Sequence, residues 1–257
     1  ATWRYDSRGR VSRSERYIAN TRAYVLAYEY DKLDRQIALV YPDGERVETG
    51  YNQAGQADRL TSALGQNLVA SSSFNALGQL AGQVYGNGAV AGYSYYSPQT
   101  GNNRLERLQL AGPGGESLLN LAYTYDRVGN LTQLVDAAPG LGGPQTQRFE
   151  YDFLDRLTLA QSSGGAAGGY DQRFSYDQIG NLTQRTVNGQ SQNYSYADPA
   201  HVHAAAGLDA NQYAYDANGN MVWRREAGLD YTQEFDPENR LVKVTATNGV
   251  TTTVTRF

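Results

Sequence analysis

Short runs in which apolar and polar residues alternate recur along the whole chain and break at Asp, Asn and Gly. This is the period-two pattern of half-buried strands joined by tight turns. The breaks are copies of one another. YDSRGRV starts at residue 5, and related heptads start at residues 30, 51, 74, 96, 125, 151, 176, 196, 215 and 235, eleven in all. Spacings of 19 to 29 residues suit one strand-turn-strand unit per copy, with loops absorbing the variation. Eleven two-stranded units predict an all-β chain of consecutive antiparallel β-hairpins with roughly 20 strands. A twisted sheet of more than ~10 strands curls, spirals or closes. The range 1–257 reads as one repeat region without a domain boundary. Its glycine-rich segments 111–115, 138–143 and 162–169 read as solvent-facing second turns of the hairpins.

Each heptad position has a physical reading. Position one is aromatic and position two is Asp or Asn in nine copies, as in Tyr5-Asp6, Tyr30-Asp31, Tyr125-Asp126, Tyr151-Asp152, Tyr176-Asp177, Tyr215-Asp216 and Phe235-Asp236. A short acceptor side chain there takes hydrogen bonds from backbone N–H groups just ahead and stabilises a turn. Position five is Gly9, Asp34, Gly55, Gly78, Gly129, Asp155, Gly180, Gly219 or Asn239, the residue types that best tolerate left-handed backbone. Position seven is apolar in nine copies and re-enters the packed face. Two residues before position one stands another aromatic in seven copies (Trp3, Tyr28, Tyr123, Phe149, Phe174, Tyr194 and Tyr213). Stacked copies place these rings side by side, each contact worth roughly 0.2–1 kcal/mol. The heptads at 51, 96 and 196 lack parts of the pattern, which leaves their turn geometry open.

Composition sharpens this picture at a few points. The chain holds 21 Tyr against 6 Phe and 2 Trp, and tyrosine serves strands that are apolar on one side and wet on the other. A net charge of -4 gives no concentrated basic face for nucleic acid or an anionic membrane. Without cysteine there is no disulfide or thiol chemistry. No run approaches the ~20 apolar residues of a membrane helix. An outer-membrane barrel fits poorly, because the face opposite the aromatics is rich in Gln, Thr, Asn and Arg. The chain opens almost inside a heptad, without an apolar leader, and reads as a piece of a longer repeat region whose raw edge strands favour self-association.

The pattern Y-D-x-x-G-[NR]-L, with YDANGNM at 215–221 and FDPENRLVKV at 235–244, resembles the YD repeats of bacterial Rhs proteins, of the B and C components of Tc toxins, and of teneurins. The resemblance covers essentially the whole chain. It implies a long β-sheet wound into a hollow β-shell that encapsulates a C-terminal toxin or other polypeptide. The implied partners are the remainder of the parent polypeptide and that enclosed cargo, and the implied setting is secreted or cell-surface, in bacteria. The family's self-cleaving aspartate region has no counterpart among these residues.

Candidate chemistry is weak beside this repeat. Asp216-x-Asn218-x-Asn220 opens like a calcium loop, but Met221 and Ala227 stand where that loop needs Gly and Glu. Asn130-Leu-Thr132, Asn181-Leu-Thr183 and Asn193-Tyr-Ser195 match the glycosylation sequon, two of them within the heptad itself. On a strand, His201 and His203 would share a face as half of a metal site, yet no carboxylate cluster completes it. No Ser has a base and acid arranged around it, and no pair of carboxylates stands apart from the turns. The reading is a non-enzyme with no metal or cofactor. The alternative is a module that binds carbohydrate or a cell-surface partner through its tyrosines.

Overall fold

The computed structural model describes residues 2–17, 23–138, 142–165 and 168–257; parts of two glycine-rich connectors, 139–141 and 166–167, lie outside the described residues. Among the described residues are 23 strands and a four-residue helix, Pro98–Gly101. The fold is all-β, built from consecutive antiparallel hairpins. The chain divides into two compact units, residues 1–146 with 164–167, and residues 147–163 with 168–257. In the first unit β1 (Thr2–Tyr5), β2 (Val11–Tyr17), β3 (Ala23–Tyr30) and β4 (Gln36–Val40) pair in order. The succession continues antiparallel to the strand Leu131–Asp136. In the second unit the same rule runs from Leu157–Gly164 to Thr252–Arg256.

Among the described residues, the main strand contacts of each unit run between sequence neighbours. Strands that touch chiefly along their edges enclose little interior, and among the described residues the buried apolar ones are few and mostly small: Ala38, Val47, Ala89, Ala91, Ala138, Leu159 and Ala160. The aromatics Tyr28, Tyr123, Phe149, Phe174, Tyr194 and Tyr213 are half-buried, and Trp3 is exposed. Cross-strand contact and backbone pairing, more than a central core, therefore hold each sheet.

The heptad recurs as one local geometry. Position one pairs with position seven across the turn: Tyr5 with Val11, Tyr30 with Gln36, Tyr125 with Leu131, Tyr176 with Leu182, Tyr215 with Met221 and Phe235 with Leu241. The register slips by one residue just before position one in each of these, a bulge that increases local twist.

Two of the heptads whose turn geometry the sequence leaves open depart from the common turn. In the fifth copy, Tyr95 rather than Tyr96 takes position one and pairs with Leu105, while Tyr96 N donates to Arg104 O across the inserted helix (2.9 Å). In the ninth copy Val202 is not position seven. Position two is Ala197, which offers no acceptor, and the loop is longer, with its own turns at Asp198–His201 and His201–Ala204. The opposite hairpin ends of the first unit also reuse the turn without the heptad. Tyr41 N donates to Glu45 O, and Gly44 N to Tyr41 O. The second unit has two-residue turns there, such as Asn188-Gly189, both left-handed as a type I′ hairpin requires.

Candidate functional site

The array of repeat turns gathers most of the polar side chains that sequence reasoning singled out. In the eighth copy Asp177 N donates to Asn181 O (2.9 Å), while Asp177 Oδ1 accepts from Ile179 N (3.0 Å) and Asn181 N (2.8 Å). Asp6, Asp31, Asp152, Asp216 and Asp236 each take the same two backbone donors, two and four residues ahead. Asp126 Oδ1 accepts instead from Gly129 N (2.7 Å) and Asn130 N (2.8 Å). The position-two carboxylate thus satisfies N–H groups that the reversal of the chain leaves out of the ladder. Position five is left-handed: φ is positive at Gly9, Gly180 and Gly219, and is 65° at Asp34, 59° at Asp155 and 59° at Asn239. At Gly129 it reaches 116°, beyond the left-handed well open to Asn or Asp.

Position six was missed by sequence reasoning and carries the contacts between turns. The second oxygen of the position-two carboxylate binds the position-six side chain. Arg10, Arg35, Arg156 and Arg240 donate through Nε at 2.7 Å, and Asn130, Asn181 and Asn220 through the amide at 2.9–3.0 Å. Where position two is Asn, position six is Gln: Asn52 donates to Gln56 Oε1 and Asn75 to Gln79 Oε1. That matched substitution was the available signal.

The same side chains reach the following turn. Arg10 lies over the Tyr30 ring (4.6 Å), Arg35 over Tyr51 (4.3 Å) and Arg156 over Tyr176 (4.7 Å), each a cation–π contact. Arg10 and Arg156 also donate to the carbonyls of Asp31 and Asp177 (3.1 Å each). Arg8 and Arg10 pair with the Asp34 carboxylate at 2.8 and 2.6 Å. Shorter amides do likewise, Asn181 Nδ2 to Val202 O and Asn220 Nδ2 to Asn239 Oδ1, both at 2.9 Å. In return, position-one hydroxyls donate back to the preceding copy: Tyr30 to Val11 O, Tyr176 to Leu157 O and Tyr215 to Ala205 O, all at 2.9 Å. Tyr125 meets Tyr96 edge-on (6.4 Å), with Arg104 over its ring (5.6 Å). Tyr151 ends the strand Gln145–Tyr151, and Asp152 N closes onto Arg156 O (3.0 Å).

The remaining candidates are drawn into the same array. Asp216 spends its oxygens on Asn218 N, Asn220 N and Asn220 Nδ2. Asn181 is 6% exposed, and its amide serves Asp177 and Val202, which closes that sequon to a glycan. His201 and His203 lie in a loop, not on a strand, and face different partners. His201 Nδ1 lies 2.8 Å from Asp198 Oδ2, with its ring beside Tyr215, whereas His203 Nδ1 lies 2.8 Å from Asn181 Oδ1.

No protein-family model matches the sequence, and no curated protein does. Solved structures do match in shape. The crystal structure of TcdB2-TccC3-Cdc42 superposes over 98% of this chain with a TM-score of 0.65 at 18% identity, and that of TcdB2-TccC3 over 94% with 0.65 at 18%. A Photorhabdus luminescens Tc holotoxin pore covers 91% with 0.60 at 19%. The fold is that of a Tc toxin segment. This chain spans about a sixth of the length of those Tc chains, 14–16%. Among the described residues of this Tc-like sheet, no helix is long and apolar enough to cross a membrane.

The electrostatics of the Tc-like turns follow from their geometry. Hydrogen bonds from the Arg10 and Arg156 guanidinium groups hold the Asp6 and Asp152 carboxyls below the ordinary carboxylate range, against partial desolvation and with help from backbone donors. The Asn220 amide does so for Asp216, and Arg240 N followed by its guanidinium for Asp236. At Asp31, Asp126 and Asp177 desolvation is the largest influence and pushes upward, but the combined hydrogen bonds outweigh it. All seven are lowered in the folded chain, so protonation favours the unfolded state. Their stabilisation is complete above the unfolded value of 3.8 and disappears as pH falls through the lower folded values. Urea midpoints measured from pH 7 downward are therefore expected to stay level to about pH 5 and to fall steeply below about pH 4. A midpoint that rises on acidification through that range would contradict the turn assignment.

Proposed function

We propose that the chain is a non-catalytic stretch of wall in an extracellular Rhs- or Tc-type shell, one sheet thick, whose turns act as seams between successive hairpins. The observation that carries this reading is the chain of contacts from the position-two carboxylate through position six to the next copy's position one. It commits most candidate catalytic carboxylates to holding hairpins side by side. The thin interior fits a wall better than a solid globule, and the likeness to the Tc toxin chains over nearly the whole sequence supports it. On this reading the single repeat region 1–257 joins the rest of a longer polypeptide, and the shell so formed encloses a C-terminal polypeptide cargo.

The test is small-angle scattering from the isolated chain, analysed for thickness. A wall one sheet thick predicts about 10 Å, the depth a single β-layer occupies. About 20 Å, the depth of two packed sheets, would overturn the reading.

A further inference from the structure

We infer that a groove in the first unit, between the turn 62–66 and the turn 85–89, is a binding site for a neutral saccharide. The groove lies among the hairpin ends opposite the heptad turns and measures about 750 Å³, within the range of small-molecule sites. Its position differs from the preceding gap along the same row of turns. Between the turns 41–45 and 62–66 the space is closed: Ser62 Oγ donates to Glu45 Oε1 and Ala63 N to Arg46 O, both at 2.7 Å. One hairpin further on, the strands are irregular. The register of the strand Asn67–Phe74 slips at Leu68 against one neighbour and at Ala70 against the other, bulges that bend the strand end and re-aim its side chains. Gly86 completes the wall of the groove. Its N–H donates to Leu68 O (3.2 Å), and any side chain at residue 86 would collide with the Asn67 carbonyl.

Three side-chain amides with bonding capacity to spare surround this opening. Among the described residues, the Gln66 and Asn67 amides have no protein partner, and Asn87 uses only its oxygen, which accepts from Ala89 N (3.0 Å). Each amide combines an acceptor with two donors, the combination that adjacent sugar hydroxyls match. Leu68 and Leu118, both exposed, and the half-buried Tyr85 supply apolar surface for the C–H face of a sugar ring. No charged residue lines the groove, so it has no means of preferring a phosphate, a carboxylate or an amine. A peptide also offers neutral donors and acceptors, but along a line, whereas Gln66 and Asn67 face Asn87 from a different turn. This chemistry belongs to the hairpin ends that lack the heptad, and it does not involve the half-buried aromatic columns.

Titration of the isotope-labelled full chain with methyl β-glucoside, methyl β-galactoside and N-acetylglucosamine tests the site, with the side-chain amide signals as the readout. At least one of these sugars is expected to shift the Gln66, Asn67 and Asn87 amides saturably, with a Kd of about 10 mM or below. Gln66→Ala removes one amide. Asn87→Asp keeps the acceptor for Ala89 N, and with it the turn, but removes the Nδ2 donors. Each variant is expected to weaken binding roughly threefold or more, as the loss of one neutral hydrogen bond does. Backbone signals that stay in place away from the groove establish that the variants remain folded. A capped alanine dipeptide and inorganic phosphate are titrated alongside. No saturable shift with any sugar up to about 50 mM, sugar binding unchanged in both variants, or tighter binding of the dipeptide or of phosphate overturns the inference. The thickness of the sheet is a separate measurement, and the wall reading stands or falls independently of the groove.

Discussion

Gly129→Val is expected to lower stability by about 3 kcal/mol or more, while Gly9→Val lowers it by about 1–2 kcal/mol. Both positions have positive φ, 116° and 78°, so both substitutions meet backbone strain, and a β-branched residue meets it more severely than most. They differ in surroundings. An added Cβ at Gly129 would lie 2.5 Å from the Arg104 guanidinium, which itself donates to the Asp126 and Val128 carbonyls, and at Gly9 it would meet nothing. Urea unfolding of the two variants measures the combined effect of the wider φ and the crowding at Gly129 against the milder strain at Gly9. Equal losses would show that the preceding copy's side chain does not press on position five, and that the turns are independent of one another.

Asp152→Ala is expected to lower the thermal midpoint by roughly 5 °C, more than Asp43→Ala does. Asp152 receives the backbone N–H groups of Leu154 and Arg156 and two nitrogens of the Arg156 guanidinium, while Asp43 accepts one backbone donor from Glu45. Removing the carboxylate leaves those donors to water and frees Arg156 from the position in which it covers Tyr176. Asp152→Asn is expected to fall between wild type and alanine, because the amide keeps an acceptor for the backbone but loses the ion pair. Calorimetric scans at pH 7 distinguish the three. An asparagine variant as impaired as alanine would mean that the ion pair, and not the backbone bonds, carries the turn.

Much of the fold was legible because its signals are local. Alternation of apolar and polar residues depends on which face of a strand a side chain takes, and it pointed to hairpins throughout. The turn-forming roles of positions two and five, the carboxylate's backbone bonds and the left-handed φ, lie within five residues, so one heptad suffices to read them. Position six acts across some twenty residues, from Arg10 to Tyr30 or from Arg156 to Tyr176, and no single heptad displays that reach. Its trace was the exchange of Asp with Arg or Asn for Asn with Gln at positions two and six, visible only when the copies are compared pair by pair. The fifth and ninth copies depart from the pattern for a different reason. The tandem Tyr95-Tyr96 offers two candidates for position one, and the pairing of Tyr95 with Leu105 and the hydrogen bond from its hydroxyl to Leu80 O (2.8 Å) separate them. In the ninth copy, a turn without a position-two acceptor closes later, through a loop whose length the heptad does not encode.

Successive turns are coupled through position six. A double-mutant cycle of Arg156→Ala and Tyr176→Leu tests it most directly, since the guanidinium lies 4.7 Å above the ring centre and the two residues belong to consecutive copies. Urea unfolding of wild type, both single variants and the double variant is predicted to give a coupling energy of about 1 kcal/mol. Additivity within about 0.3 kcal/mol would contradict it.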